Sequence, residues 1–124
     1  MSENKFNARY AYDGLERIIH EKARLGIMTS LATHADGLLF NDLKTQCGLT
    51  DGNLNRHLAV LTDAALVEVW KGGAGRRSQT LYRLTRTGRK RFLNYIEQLE
   101  RVIADAASAA SQPAARGRPG LATT

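Results

Sequence analysis

The sequence predicts a mainly α-helical protein with one small β-hairpin, and three stretches of it carry that prediction. Residues 38–66, LLFNDLKTQCGLTDGNLNRHLAVLTDAAL, read as two short helices broken at Cys47-Gly48-Leu49-Thr50. Val67-Glu68-Val69-Trp70-Lys71 and Thr80-Leu81-Tyr82-Arg83-Leu84 then alternate as half-buried strands do, on either side of a segment with turn composition throughout. Beyond them Phe92, Ile96, Leu99 and Ile103 recur at spacings of 4, 3 and 4, the seam of an amphipathic helix. Two helices joined by a tight turn containing Gly form a helix-turn-helix, whose second helix can enter a DNA major groove.

The 124 residues suit one domain, and 43% hydrophobic with 24% charged residues is the balance of a globular core under a polar surface. A formal net charge of +6 favours polyanionic partners, nucleic acid or an anionic membrane surface. The single cysteine excludes an intrachain disulfide. The N-terminus, MSENKFNARYAYDG, lacks the apolar core of a signal peptide, and no apolar run approaches the roughly 20 residues that cross a bilayer. The expectation is a cytoplasmic protein with no membrane partner.

Taken in order, residues 1–9 are polar and expected to be a flexible N-terminus. From Tyr10, apolar residues at Leu15, Ile18, Ile19, Leu25, Met28, Leu31 and Ala32 fit helical spacing. His20-Glu21-Lys22 interrupts the pattern, which predicts two helices, about 10–20 and 22–34. Ala35-Asp36-Gly37 supplies the stop, with Gly available for a left-handed residue. Leu38-Leu39-Phe40 reads as one brief strand, and Asn41 as the cap of the next helix. Leu43 and Cys47 face inward on it, and Gly48 ends it.

Thr50 caps a helix to about Ala64. Its Leu54, Leu58, Leu61 and Ala65 lie within about 60° of one another and point to the core. Small and hydrogen-bonding residues, among them Gly52, Asn53 and Arg56, hold the outer face. Val67 and Val69 on one strand, with Tyr82 and Leu84 on the other, are expected to form the buried face of the hairpin. Thr85 caps the last helix. One domain over 10–108 follows, then a tail over 109–124, rich in Ala, Gly, Pro and Arg and expected to be disordered.

Helix, helix, short strand, helix-turn-helix, hairpin and helix is winged-helix order. The segment resembles winged helix-turn-helix transcriptional regulators of the MarR/ArsR-like type, most of all their short single-domain members. The resemblance covers roughly residues 14–103 and rests on Gly48-Leu49-Thr50-Asp51-Gly52-Asn53-Leu54, His57-Leu58 and Leu61. Gly75-Arg76 in the wing, Tyr82-Arg83-Leu84-Thr85 and Gly88-Arg89 complete it. Leu81 departs from a usually polar strand position, and Ala65 from one that is often Gly. The resemblance implies a homodimer that binds operator DNA and regulates transcription, with N- and C-terminal dimerisation helices.

For the major groove the candidates are Asn53, Asn55 and Arg56, since Arg suits guanine O6/N7 and Asn suits adenine N6/N7 as bidentate partners. Thr50 and the free N–H groups at the start of its helix suit a phosphate. His57, at the border of the core, either donates to a phosphate or packs half-buried. Lys71, Arg76 and Arg77 belong to the wing, where an Arg profits from the negative potential of a narrow minor groove. Arg83, Arg86, Arg89, Lys90 and Arg91 extend the basic run, and no acidic residue interrupts Lys71 to Arg91.

Leu99, Val102 and Ile103 outrun the domain that could cover them. With Ile96, and with Leu15, Ile18 and Ile19 of the first helix, they are the candidate dimer interface; the alternative is that the first helix of the same chain covers the stripe. Cys47 reads as a buried thiol rather than a redox sensor. Trp70 either covers a dimer or lies exposed. His20, His34 and His57 share no metal-ligand spacing, so no metal and no cofactor are expected. The residues name no effector.

The competing function is a winged helix used for protein–protein assembly, in which two adjacent arginines at the wing tip have no obvious use. No nucleophile–base set, carboxylate pair or phosphate loop supports an enzyme.

Overall fold

The computed structural model describes residues 8–72 and 79–111. Its elements are α1 (Lys22–Ala32), β1 (Leu38–Leu39), α2 (Phe40–Cys47), α3 (Asp51–Asp63), β2 (Val67–Gly72), β3 (Gln79–Leu84) and α4 (Arg86–Ser111). The three strands form one antiparallel sheet in the order β1-β3-β2. Val67 pairs with Leu84 and Val69 with Tyr82, while Leu39 and Trp70 flank Leu81 from the two sides.

The core is a single cluster. Ile27, Met28 and Leu31 of α1 meet Leu43 of α2 and Leu54, Leu58 and Leu61 of α3. Leu38, Leu66, Val67, Tyr82 and Leu84 close it from the sheet side, and Phe92 and Tyr95 from α4. Each of these helices has a short apolar stripe and a polar remainder, so it is burial of the stripes that holds the helices in place.

Both helices of the helix-turn-helix end alike. In α2 the N–H of Leu49 reaches the Lys44 carbonyl at 3.2 Å and that of Gly48 reaches Thr45 at 3.3 Å. In α3 the N–H of Leu66 reaches Leu61 at 3.0 Å and that of Ala65 reaches Thr62 at 2.9 Å. This is the Schellman closure, which needs a left-handed residue at its centre. Ala65 therefore lies just outside the helix and exposed, not on the core face predicted for it; Ala64 packs against the core in its place.

Thr85 caps α4 as expected, its Oγ1 accepting from the Gly88 N–H at 2.8 Å. The same hydroxyl donates to the Ala65 carbonyl at 2.7 Å, which ties the start of α4 to the end of α3. Gly88 lies against Leu66 so closely that a Cβ there would fall 2.0 Å from the Leu66 carbonyl oxygen. α4 continues to Ser111, past residue 109 where the change in composition predicts the tail. Residues 112–124 and 1–7 lie outside the described residues.

Four further expectations are corrected. Residues 10–20 form successive turns rather than a helix, with N–H to carbonyl bonds from Leu15 to Tyr12 and from Ile19 to Glu16, and with Tyr12 at φ 51°. Contacts with α4 decide this conformation. The Tyr12 hydroxyl donates to Asp105 at 2.6 Å, the Gly14 N–H to Gln98 at 2.9 Å, and Arg91 is paired with Glu16. Such a short helix with Gly14 inside it is marginal alone, so long-range bonds override its periodicity.

Asn41 is not a cap. α2 starts at Phe40 straight out of β1, its cap position is Leu39 with no side-chain bond, and Asn41 lies within the helix. α1 stops at Ala32 with Thr33 as its cap, and Gly37, at φ 101°, serves the turn into β1 instead. Val69 keeps 36% of its surface although it shares the inner face of the hairpin, because that end of β2 runs out beyond the core.

Candidate nucleic-acid interface

α3 presents two opposite faces. Leu54, Leu58 and Leu61 are buried, whereas Asn53, Asn55 and Arg56 are exposed. The polar side chains of these three form no hydrogen bond or ion pair with another described residue, so their full bonding capacity is open to a ligand. Thr50 sets the start of the helix: its Oγ1 accepts from the Asn53 N–H at 3.2 Å. An acid shares that end, since Asp51 lies in the first turn and pairs with Lys44 of α2 at 2.8 Å. A phosphate arriving at the α3 N-terminus meets this pair, with the lysine attracting it and the carboxylate opposing it.

His57 is half-buried and held from behind. Its Nδ1 lies 3.2 Å from the Arg24 guanidinium of α1. A guanidinium only donates, so Nδ1 is the acceptor and Nε2 carries the ring N–H. The approach of Glu21 Oε1 to the same nitrogen, at 3.9 Å, is then proximity rather than an ion pair. Arg24 is itself fixed, its Nε donating to the Ile18 carbonyl at 2.7 Å. Glu21 caps α1 by accepting the Arg24 N–H at 2.8 Å, and this bond holds its carboxyl below the usual carboxylate range. His57 thus braces α3 against α1, with its Nε2–H the group left for a phosphate. Glu21 and Arg24 were missed as site residues; the only signal for them was the break in periodicity at His20-Glu21-Lys22.

In the hairpin, Lys71 is exposed on β2 opposite Thr80. Arg76 and Arg77 lie outside the described residues. Trp70 is on the outer face with 51% of its surface exposed, and the Arg83 guanidinium sits 5.0 Å from its ring centroid. Arg83 also donates to Glu68 at 2.8 Å, and Glu68 is held below the usual carboxylate range by that bond and by one from Trp70. The basic run is therefore not uniformly free. Arg83 and Arg91 have carboxylate partners, whereas Arg86 and Lys90 are exposed near the base of the hairpin.

The candidate dimer residues divide. Ile19 is fully buried in the core of its own chain and has no surface to offer a second copy. Leu15, Ile18, Ile96 and Leu99 are half-buried and pack against that core. Val102 is half-buried, and Ile103 keeps 60% of its surface. Leu93, not predicted, keeps 56%. One side of α4 is thus covered by residues 12–20 of the same chain, where His20 Nδ1 lies 2.6 Å from the buried Tyr95 hydroxyl. Cys47 is half-buried, its Sγ 3.6 Å from Ser30 Oγ. Among the described residues no three His, Cys, Asp or Glu side chains gather as metal ligands, and no helix is long and apolar enough to cross a membrane.

A capped α3 with free polar residues on its outer face, a preceding helix set by a glycine turn, and a hairpin beside them define the winged helix-turn-helix class. The chain belongs to the winged helix DNA-binding domain family, whose model matches residues 23–103. A transcriptional regulator homologue from Pyrococcus horikoshii is 30% identical and superposes with a TM-score of 0.69, covering 73% of this chain and 89% of that one. A Staphylococcus aureus MepR variant bound to an oligodeoxyribonucleotide shares the fold at 20% identity and a TM-score of 0.57, over 66% of this chain and 59% of that one. The uncharacterized protein MJ0432 of Methanocaldococcus jannaschii is 42% identical over 60 residues; the match takes in 48% of this chain and 65% of that protein. The fold is that of MarR-type regulators.

Proposed function

We propose that this protein is a sequence-specific, double-stranded-DNA-binding transcriptional regulator that acts as a homodimer on a pseudo-palindromic operator. The observation that carries the reading is the outer face of α3, where Asn53, Asn55 and Arg56 are exposed and uncommitted while the opposite face is locked into the core. Bidentate donors and acceptors on a rigid, capped helix are what a major-groove reader needs. Family membership and the DNA-bound MepR relative support the same reading. A net charge of +6 adds sequence-independent attraction to the phosphates.

Two copies present two reading helices to half-sites about one turn of DNA apart. Support for a second copy comes from Leu93 and Ile103, which remain exposed on α4 after residues 12–20 have packed, with half-buried Val102 beside Ile103. A reader of chromosomal DNA works where that DNA is, which favours the cytoplasm. The test is a gel shift on the DNA upstream of the protein's own coding sequence, with random duplex as competitor. Retardation that survives a large excess of random duplex is expected; equal competition by random and upstream DNA overturns sequence-specific reading.

A further inference from the structure

His57 is the one histidine of α3, and it stands between two partners of opposite kind. Its Nδ1 lies 3.2 Å from Arg24 Nη1 and 3.9 Å from Glu21 Oε1. That carboxylate oxygen is in turn 4.0 Å from Arg24 Nη1. Arg24 suits the neutral ring, because a guanidinium donates to Nδ1 and accepts nothing. Glu21 suits the charged ring, because a carboxylate only accepts. Both partners are anchored, Arg24 Nε on the Ile18 carbonyl and Glu21 Oε1 on the Arg24 N–H.

We propose that these three residues couple DNA binding to proton uptake: as Nε2–H meets a backbone phosphate, His57 takes a proton from solvent and Nδ1 passes from Arg24 to Glu21. The proposal rests on α3 facing DNA, and it concerns the backbone contact rather than the bases. A phosphate at Nε2 favours the imidazolium, and a hydrogen bond between ionised partners is roughly twice as strong as a neutral one. The added proton turns Nδ1 into a donor aimed at a guanidinium that cannot receive it. Glu21 can, since a closing movement of about 1 Å makes the approach of Oε1 a charge-assisted bond. The released Arg24 Nη1 stays beside the same carboxylate. Capping α1 uses only the bond of Oε1 to the Arg24 N–H, so the second approach, to Nδ1, is left for the charged ring.

Among the described residues, the charged groups in contact with the ring are these two, both from α1. On α3 itself Arg56 is exposed, and Asp51 is paired with Lys44 of α2. In the turns before α1, Glu16 is paired with Arg91, and His20 Nδ1 lies against the Tyr95 hydroxyl. A complex that holds one more proton than its separate components tightens as the pH falls.

The experiment measures binding of the full chain to a random duplex at several pH values from 8 to 6, the range in which imidazole titrates, at constant ionic strength. The parent is expected to bind about tenfold more tightly at the acid end, the effect of a one-unit linkage. His57→Gln stays polar but cannot titrate, and is expected to lose most of that gain. His20 and His34 titrate in parent and variant alike, so the difference between the two profiles belongs to His57. Glu21→Gln is expected to move the gain to lower pH, because its amide is a weaker partner for the charged ring.

Parent and His57→Gln with the same profile overturn the proposal, and a Glu21→Gln profile equal to the parent's overturns the exchange of partners. Nitrogen NMR of the ring in the DNA-free parent gives a reading that needs no variant. The Nε2–H tautomer is expected at pH 8 or above, and the Nδ1–H tautomer there overturns the assignment of Arg24 as donor. Upstream DNA that competes no better than random duplex would sink sequence-specific reading while leaving this pH profile standing.

Discussion

Gly48 and Ala65 occupy the same backbone conformation, φ 63° at each, at the centre of the same closure on the two successive helices of the motif. Glycine adopts it freely, whereas a Cβ there meets the following carbonyl at a cost of roughly 1–2 kcal/mol. Ala65→Gly should therefore stabilise the protein by about 1 kcal/mol, and Gly48→Ala should destabilise it by a similar amount. Urea denaturation of the three proteins checks both signs. A loss of stability in Ala65→Gly would show that a contact of its methyl group outweighs the strain.

Replacing Asn53 or Arg56 by Ala should weaken binding to the cognate site by about 1–3 kcal/mol and affect random duplex far less. The side chains are exposed and bonded to no other described residue, so stability should hold while affinity falls. Fluorescence anisotropy on cognate and random duplexes reads the difference. Equal losses on both would make these residues phosphate binders rather than base readers.

Arg76→Ala with Arg77→Ala should reduce affinity for many sequences alike and flatten the salt dependence. Each lost phosphate contact removes about 0.9 from the slope of log K against log salt. A titration from low to moderate salt gives the slope. Unchanged slope and affinity together would remove the wing tip from the interface.

Leu93→Glu with Ile103→Glu should yield a folded monomer near 13.7 kDa in sedimentation equilibrium, whereas the parent is expected to sediment as a dimer. The two positions are 56% and 60% exposed within one chain, so charges there leave its own core intact. Leu99, which packs against that core, is the poorer probe. A parent that sediments as a single 13.7 kDa species refutes the dimer.

Glu21→Gln should cost roughly 0.3–1 kcal/mol at neutral pH, the usual worth of an anion at a helix start. Because the folded carboxyl titrates below its ordinary value of 4.5, its contribution is fully present above that pH. It is lost as the pH falls through the depressed folded value. Parent and variant stabilities should therefore converge in acid, as thermal melts at pH 7 and pH 3 would reveal. A gap that widens in acid reverses the assignment.

The elements legible in the sequence were those decided locally. Thr50 and Thr85 cap helices because a hydroxyl before an amphipathic run can accept a free N–H, and Gly48 ends one because of its freedom at positive φ. The alternation of 67–71 and 80–84 marked the hairpin and placed Val67, Val69, Tyr82 and Leu84 on one face, while the register came only with the structure. Residues 10–20 misled because their spacing fits a helix, while the bonds that set their conformation come from Gln98 and Asp105, more than eighty residues away. The tie of His57 to Arg24 was hidden for the same reason: one charged residue on α1 looks like any other until α3 is laid across it. The outer face of α3 was readable as polar from its period alone, and what the three-dimensional structure added is that its side chains are uncommitted.

The contact of Gly88 with the Leu66 carbonyl makes α4 a lever. Its fulcrum is at the end of the reading helix, and its arm is about 39 Å long at 1.5 Å per residue. A tilt of about 10° at the fulcrum swings the far end by roughly 7 Å, a little more than one turn of helix. Whatever is joined to the far end therefore feels small rotations of the reading domain as large displacements. If two copies pair there as proposed, a modest repacking at Gly88 would reset the distance between their α3 helices, and with it the half-site spacing that the pair would accept.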